Sequence, residues 1–291
     1  MSDVRIVTDS TALFLNPRIL KEYNVTVVPA KVRWGDDSYQ LGVDIDNEDI
    51  LHRIHTSLEL PTLEAPSVED FVSVYQRLSQ HSDGIISIHS ATRLSKAFNN
   101  AVEAQRTVLG RSKIDVIDSE TVCVGLGMMV TKAAQYAAAE TSFEQIARDV
   151  RHIIPRIYSM FFVESMEVLA LNKIMGQAQT IICTMLDLKP FLAIEEGQMM
   201  VVEKAQTLIQ AVEKLAEFAA EFEEVEQIAI ISYTSEVIEA IRLLQDRLAL
   251  DLNQTAVPTL MYGAMIATTL GPDAIGMYIL EAESEDNAFG A

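Results

Sequence analysis

The sequence predicts an α/β protein of two domains, the first with a parallel sheet and the second with a mixed sheet. Three short apolar runs in the first half are each followed by helical sequence: Val4–Thr8, Ile85–Ile88 and Ile114–Ile117. Alternating strands and helices favour a parallel sheet with helices on both faces. In the second half, the apolar segments Phe191–Ile194 and Met199–Val202 flank a short loop that contains Gly197. This pattern is typical of an antiparallel hairpin.

The length of 291 residues favours two domains, and we predict their boundary near residue 156. Ser142 and Gln145 have the spacing of a capping box, which opens a helix that runs to about Ile154. We therefore expect a parallel-sheet domain over 1–155, a mixed-sheet domain over 156–282 and an acidic tail over 283–291. The segment around 60–72 is expected to pack with the second domain.

Further elements of the first half follow from local patterns. Val25–Trp34 alternates apolar and polar residues and is predicted to be one strand. Asp46–Leu58 has acidic residues in its first turn and one apolar face, which indicates a helix. Ser67 is predicted to cap the helix that begins after it.

The second half contains both helical and strand patterns. Helices are predicted at Met175–Leu186, at Leu208–Phe222 and after a capping Ser235, and strands at Met160–Val163, Ile228–Ser232, Thr259–Tyr262 and Ile275–Leu280. The uncharged stretch Leu252–Pro272 is long enough to raise the question of a membrane span. Its proline, glycines and threonines favour buried strands with turns instead.

Composition excludes several classes of function. Hydrophobic residues make up 49% of the chain, so a sizeable core is expected, and 42 acidic against 22 basic residues give a formal charge of −20. Such a field repels nucleic acid and anionic lipid, so we expect no nucleic-acid partner and no stable membrane insertion. The N-terminus has no secretory pattern, and Cys123 and Cys183 lie in apolar segments, so we expect reduced core thiols and a cytoplasmic protein.

Four hydroxyl residues stand between a predicted strand and a predicted helix: Ser87, Ser90, Thr92 and Ser95. The start of a helix after a strand offers N–H and hydroxyl donors to a ligand, although serine and threonine are also ordinary helix caps. Thr62, in a turn between Pro61 and Pro66, has no capping role of this kind. It is therefore a candidate binding residue.

Evidence for catalysis or for a metal is weak. Asp44, Asp46 and Glu48 alternate, but the glycine and the distal glutamate of a calcium loop are missing, and His52 and His55 have no third ligand in the sequence. Gly125 and Gly127 lack the remainder of a dinucleotide motif and favour close packing. We expect no metal and no cofactor. An enzyme with Ser95 as nucleophile and His89 as base remains an alternative.

Eight segments together resemble the DegV family of bacterial fatty-acid-binding proteins, from Val4 to about Leu280. They are VTDST (7–11), VVPAKVRWGD (27–36), GVDID (42–46), LPTLEAPS (60–67), SIHSATRLSKAF (87–98), VIDSETVCVGLG (116–127), LKPFLAIEEGQ (188–198) and GAMIATTLGPDAIG (263–276). The resemblance implies two α/β domains, a parallel sheet followed by a mixed one, with a long-chain fatty acid bound between them.

The resemblance also implies roles for residues. The carboxylate of the fatty acid would meet Thr62 and Ser95, the tail would occupy an interdomain apolar tunnel, and no chemistry would be performed. Residues expected to support the head-group site are Asp9, Ser10, Ser119, Lys173 and Thr269. A fatty acid kinase would be a further partner, because some members hand their fatty acid to such an enzyme. Carriage of another amphiphilic lipid is an alternative.

The sequence departs from the family pattern at four of its polar positions. Lys173 replaces an arginine, Thr269 a histidine, Gln206 an arginine and Glu64 a serine. A planar guanidinium and an imidazole are thereby exchanged for groups of different geometry. We expect these departures to affect the ligand class or its transfer more than binding itself, because the apolar tail contributes most of the affinity.

Overall fold

The computed structural model describes residues 3–57, 60–108, 112–164, 166–233, 237–251 and 257–283. The strands are β1 (Val4–Asp9), β2 (Thr26–Val28), β3 (Lys31–Trp34), β4 (Asp37–Gln40), β5 (Thr62–Glu64), β6 (Gly84–His89), β7 (Lys113–Asp118), β8 (Ile157–Val163), β9 (Lys189–Glu195), β10 (Gln198–Ala205), β11 (Val225–Ser232), β12 (Thr259–Met261) and β13 (Ala274–Glu281). The helices are α1 (Ile19–Glu22), α2 (Asn47–Ser57), α3 (Val68–Leu78), α4 (Ala97–Thr107), α5 (Cys123–Ala138), α6 (Phe143–Ile153), α7 (Met166–Leu171), α8 (Gln177–Met185), α9 (Leu208–Ala220), α10 (Ile238–Asp251) and α11 (Ala264–Leu270).

The first sheet is parallel, with the strand order β2-β1-β6-β7. All six residues of β6 are buried, as expected for a central strand covered on both faces. Helices α3 and α4 cover one face through an apolar cluster that includes Phe71, Tyr75 and Ala101. The carboxyl ends of β1, β6 and β7 therefore meet at one edge, where their loops can form a site.

The second sheet is mixed, with the order β10-β9-β8-β13-β11-β12. Its neighbours are antiparallel except for β11 and β12, which run parallel. Helices α9 and α10 cover one face of this sheet. The predicted parallel and mixed sheets are thus confirmed, as is the hairpin of β9 and β10. A division of the chain into two domains near residue 156 stays a prediction.

Helix α5 connects the two sheets, because it packs on β1 and β6 on one side and on β8 and β13 on the other. Ten of its residues are buried. Gly127 permits the close approach of α5 to the segment that follows β1, since a methyl group at this position would overlap the carbonyl oxygen of Leu13. The close packing expected for this glycine is confirmed. Both cysteines are buried and unpaired, and burial raises the pKa of the Cys123 thiol to about 11.

The prediction of a single strand over Val25–Trp34 is wrong. The segment breaks at Pro29, which lacks an amide hydrogen, so β2 joins the parallel sheet and β3 joins a small antiparallel sheet of order β4-β3-β5. The amide of Ala30 donates instead to the Ser10 hydroxyl at 2.8 Å. This break brings β5, which carries Thr62, beside β3, and β5 also packs against α11.

Two predictions for the second half also need correction. The stretch Leu252–Pro272 contains helix α11, and its only described strand is β12; residues 252–256 lie outside the described residues. The predicted helix over Met175–Leu186 begins two residues later, after a separate α7. Ser235 and most of the predicted acidic tail lie outside the described residues. Within the described residues, no helix combines the length and the apolar character that crossing a membrane requires.

Candidate functional site

The candidate site is a cleft of about 780 Å³ where the carboxyl-end loops of the parallel sheet face β5 and α11. Its volume lies within the roughly 300–1,000 Å³ of small-molecule sites. The lining residues are Thr11, Ala30, Pro61–Pro66, Thr92–Lys96, Asn100, Asn172, Met265, Thr268 and Thr269. The structure thus brings together Thr62, Ser95 and Thr269, which lie far apart in the sequence.

Ser95 has a hydroxyl proton available to a ligand. Its Oγ accepts the amide hydrogen of Ala97 at 3.2 Å, and its own amide donates to the carbonyl of Ala91 at 2.9 Å. These bonds fix the residue at the entrance to α4, and within the described part of the chain the O–H group has no acceptor, so it is free to donate. Because Ser95 is half-buried on the cleft wall, this donor faces the cleft rather than bulk water.

The start of α4 favours a negative charge. Lys96 occupies the N-cap position without a side-chain cap, and the first turn contains no acidic residue. The first amides of a helix have no partner within the helix, and the helix dipole places partial positive charge there. Lys96 and Arg93 both line the cleft, against the single acid Glu64. The lining therefore carries one more basic than acidic residue, in a chain of formal charge −20.

Thr62 begins β5 and is exposed at the opposite wall of the cleft. Among the residues that the structure describes, its side chain has no hydrogen-bond partner. Pro61 before it and the ladder of β5 with β3 after it fix its backbone. Its hydroxyl can therefore turn toward a ligand at little cost.

Thr269 lines the cleft, but its hydroxyl already donates to the carbonyl of Met265 at 2.6 Å within α11. Thr269 can therefore offer a ligand only an acceptor oxygen and a methyl group. Lys173 does not line the cleft; it is exposed and has a φ of 56°. Its neighbour Asn172 lines the cleft instead, and its amide donates to the carbonyls of Thr268 and Thr269 at 2.9 and 3.0 Å. Asn172 thus holds the end of α11.

Asp9 and His89 belong to a buried hydrogen-bond chain beside the cleft. His89 Nδ1 lies 3.0 Å from Asp9 Oδ2, and His89 Nε2 lies 2.7 Å from Ser87 Oγ. The Tyr75 hydroxyl donates to Ser87 Oγ at 2.8 Å, and Phe71 packs edge-on against the imidazole with ring centroids 4.8 Å apart. The four polar side chains of this hydrogen-bond chain are fully buried: Asp9, His89, Ser87 and Tyr75. Their hydrogen bonds offset the cost of removing them from water.

This hydrogen-bond chain reaches the cleft at Thr11, which lines it. Thr11 donates its hydroxyl and its amide to Asp9 Oδ1, and Thr11 Oγ1 lies 2.6 Å from Ser90 Oγ. Burial by itself would raise the pKa of Asp9, but the hydrogen bond from His89 and the two bonds from Thr11 hold the pKa below its ordinary value. With Asp9 ionised, one assignment of donors and acceptors satisfies every group. Tyr75 donates to Ser87, Ser87 donates to His89, and His89 donates to Asp9. On the other side, Ser90 donates to Thr11, and Thr11 donates to Asp9.

The alternative that pairs Ser95 with His89 is wrong in this structure. Both ring nitrogens of His89 are occupied by Asp9 and Ser87, and the Oγ of Ser95 is bonded to Ala97. The Ser–His–Asp arrangement that does form uses Ser87, which is fully buried and accepts a hydrogen bond from Tyr75. A nucleophile needs access to its substrate, and Ser87 does not line the cleft.

Ser10 and Ser119 support the site from outside the cleft. Ser10 holds the amide of Ala30, a lining residue. The buried Ser119 donates to the carbonyl of Thr121 at 3.0 Å, and that carbonyl also accepts the amide of Ala91 at the base of the Thr92–Lys96 loop. Neither hydroxyl lines the cleft.

Sequence reasoning missed the partner of His89, although a signal was present. Asp9 ends the first apolar strand and His89 ends the next strand of the same parallel sheet. The register of β1 with β6 pairs Val7 with Ser87, which places Asp9 beside His89. The adjacency of two polar residues at the ends of neighbouring parallel strands was the signal that would have paired Asp9 with His89.

Comparisons with known proteins agree with this architecture. The sequence model described as "Uncharacterised protein, DegV family" matches residues 3–282. The chain belongs to the DegV family. A DegV domain-containing protein from Caldanaerobacter subterraneus is 30% identical over 285 residues, covering 97% of this chain and 100% of that protein.

Solved DegV structures share the fold. A fatty-acid-binding DegV family protein from Thermus thermophilus is 28% identical, with a TM-score of 0.83 over 97% of this chain and 100% of its own. DegV from Bacillus subtilis, a fatty acid binding protein, is 25% identical, with a TM-score of 0.79 and the same coverage. The two-sheet architecture of this DegV protein is thus that of relatives that bind fatty acids.

Proposed function

We propose that this protein binds one long-chain fatty acid without transforming it and carries it through the cytoplasm. The observation that carries the proposal is the free hydroxyl proton of Ser95 at the start of α4, facing Thr62 across a cleft whose lining carries Arg93 and Lys96. Hydroxyl donors, helix amides and a lysine are the groups that hold a carboxylate. The fatty acids bound by the relatives from Thermus thermophilus and Bacillus subtilis support this ligand class.

The tail would extend from the cleft toward the core between the two sheets. Apolar lining is supplied by Ala30, Leu63, Ala65, Leu94 and Met265. Met265, Leu63 and Leu94 also belong to the large apolar cluster shared by both sheets or pack against it. A tail of sixteen carbons contributes on the order of 10 kcal/mol at about 0.8 kcal/mol per methylene. One hydroxyl bond to a charged oxygen contributes roughly 1.5–3 kcal/mol, so the head contacts set direction while the tail sets affinity.

Presentation of the bound acid to a fatty acid kinase is a further part of the proposal. It rests on the family resemblance, and the changes at positions 173, 206 and 269 bear on it directly. Addition of a kinase catalytic subunit and ATP to the loaded protein should then yield an acyl phosphate. Free acid recovered unchanged would show that this carrier serves another acceptor.

Extraction of the purified protein tests the binding proposal. Protein expressed in a bacterial host should release close to one fatty acid per chain on denaturing extraction, measured by gas chromatography. Stripped protein should take up added palmitate with the same stoichiometry, and Ser95→Ala should bind it more weakly. An empty protein that also refuses palmitate would refute the proposal, while a co-purified lipid without a free carboxyl group would establish the alternative amphiphile.

A further inference from the structure

Arg33 lies beside the predicted head-group site, although sequence reasoning gave it no role. In the antiparallel ladder of β3 and β5, Arg33 is paired directly with Thr62, and Lys31 is paired with Glu64. Paired residues of such a ladder project from the same face, as do residues two apart on one strand. Arg33, Thr62 and Glu64 therefore share one face of the small sheet.

The guanidinium of Arg33 is held by Glu64 at two points. Nε lies 3.2 Å from Oε1, and Nη2 donates to Oε2 at 3.2 Å. This is the two-point geometry with which an arginine recognises any carboxylate. Both side chains are about half exposed, at 51% and 41%, so the pair is of the weak, exchangeable kind.

Glu64 lines the cleft together with Thr62, whereas Arg33 stands behind it. Glu64 is the only acid in a lining that otherwise carries Arg93 and Lys96, and an acid at this place opposes an anionic ligand. Its pairing with Arg33 neutralises it in the empty cleft. The same pairing keeps a guanidinium ready at the wall where Thr62 would meet the head group.

We propose that Arg33 is a further head-group residue, which exchanges the carboxylate of Glu64 for the carboxylate of the bound fatty acid. This inference rests on the proposed function and deepens it. Glu64 occupies Arg33 in the empty protein, and ligand entry replaces one two-point contact by another of the same geometry. Specificity for an ionised head follows, because a neutral head cannot displace Glu64 from Arg33.

Two ligands of equal chain length separate this role from tail binding. Palmitate and hexadecanol are titrated into stripped wild-type protein, Arg33→Gln, Glu64→Gln and the double variant. Arg33→Gln should weaken palmitate binding roughly tenfold, as for loss of one charged hydrogen bond. Glu64→Gln should strengthen it several-fold by removing the competitor. Hexadecanol affinity should change by less than about twofold in every variant, since its neutral head makes no such exchange.

The double variant decides between contact and mere charge neutralisation. If Arg33 contacts the ligand, Arg33→Gln weakens palmitate binding also in the Glu64→Gln background. If Arg33→Gln leaves palmitate affinity unchanged in that background, Arg33 serves only to neutralise Glu64, and the inference is overturned.

Arg5→Gln is the matched control, because Arg5 pairs with Asp3 at the opposite end of the parallel sheet. This variant should leave palmitate affinity unchanged. An equal loss in Arg5→Gln would reduce the effect to net charge and overturn the inference. Wild-type protein that binds neither ligand would instead refute the proposed function itself.

Discussion

Ser87 and Ser95 lie in one short segment of the chain, yet the structure uses their hydroxyls in opposite ways. Ser87 is fully buried, accepts a hydrogen bond from Tyr75 and, in the assignment given above, donates its own proton to His89. Ser95 is half-buried at the cleft, accepts an amide hydrogen from Ala97 and keeps its own proton unused. The destination of the hydroxyl proton, rather than the residue type, separates a residue that stabilises the fold from one that can hold a ligand.

The same contrast separates the two sets of charged groups. The buried carboxylate of Asp9 is hydrogen-bonded to Thr11 and His89, so its removal should lower the free energy of unfolding. Lys96 lines the cleft and Arg33 pairs with the lining residue Glu64, so both should act on ligand affinity. Substitutions that move one quantity without the other therefore test the comparison.

The largest expected effect is on stability in Asp9→Asn. Asn cannot accept from both His89 and Thr11, so the variant leaves a buried donor without its acceptor and loses bonds to a charged oxygen, at a cost of about 3 kcal/mol in the free energy of unfolding. Urea denaturation followed by circular dichroism measures this, with Ser95→Ala as the control, which loses only the bond from the Ala97 amide and should cost about 1 kcal/mol. A loss below about 1 kcal/mol would show that the buried chain contributes little.

The stability that Asp9 contributes should depend on pH. Because its folded-state pKa is lowered, this contribution is fully present above the unfolded pKa of about 3.9 and is lost as the pH falls through the folded value. The difference in unfolding free energy between wild type and Asp9→Asn should thus be constant from neutral pH to about 5 and shrink below about 4. Denaturation series at pH 7, 5, 4 and 3 measure it. A difference that grows with acidification would contradict the assignment of an ionised Asp9.

Ser95→Ala should weaken palmitate binding and lower stability only by the lost bond from the Ala97 amide, about 1 kcal/mol. Loss of one hydroxyl bond to a charged oxygen costs about 1.5–3 kcal/mol, which is roughly a 10- to 100-fold rise in Kd. Fluorescence displacement or calorimetry measures the affinity. Ser87→Ala is the matched control, expected to lower stability while its folded fraction keeps the wild-type Kd. The reverse pattern would exchange the roles assigned to the two serines.

The smallest effect is expected for Thr269→Val. The hydroxyl of Thr269 is already bonded to the carbonyl of Met265, so its removal takes no donor from the ligand. We expect the Kd for palmitate to change by less than about twofold. Thr62→Val, at the opposite wall, should raise the Kd roughly 10- to 100-fold, as for the loss of one hydrogen bond to a charged oxygen. A loss in Thr269→Val as large as that in Thr62→Val would place the head group against α11 instead.

Much of the fold followed from local patterns, since buried strands, capped helices and a hairpin each leave a signal in a few neighbouring residues. Ser67, for example, caps α3 with a full capping box to Asp70, as expected. The break at Pro29 was missed because the alternation of apolar residues continues across it. Helix α11 was missed because its seven residues are too short and too uniformly apolar to show helical periodicity.

The site divides in a similar way. The motif resemblance selected Thr62, Ser95 and Thr269, and these residues do line one cleft. It also selected Lys173, whose side chain lies outside the lining, while the adjacent Asn172 holds α11. A shift of one residue in a turn with positive φ redirects a side chain completely, and the sequence carries no record of it. The contact of Arg33 with Glu64 depends on the register of two strands 31 residues apart.

Titration of the bound head group tests the central claim most directly. Palmitate labelled with carbon-13 at the carboxyl carbon is bound to wild-type protein, Ser95→Ala and Thr62→Val, and its NMR resonance is followed against pH. Hydroxyl donors and Lys96 favour the ionised form, so the account predicts a bound carboxyl pKa below its ordinary range in the wild type and a rise in both variants. A carboxyl resonance that titrates identically in all three proteins would contradict it.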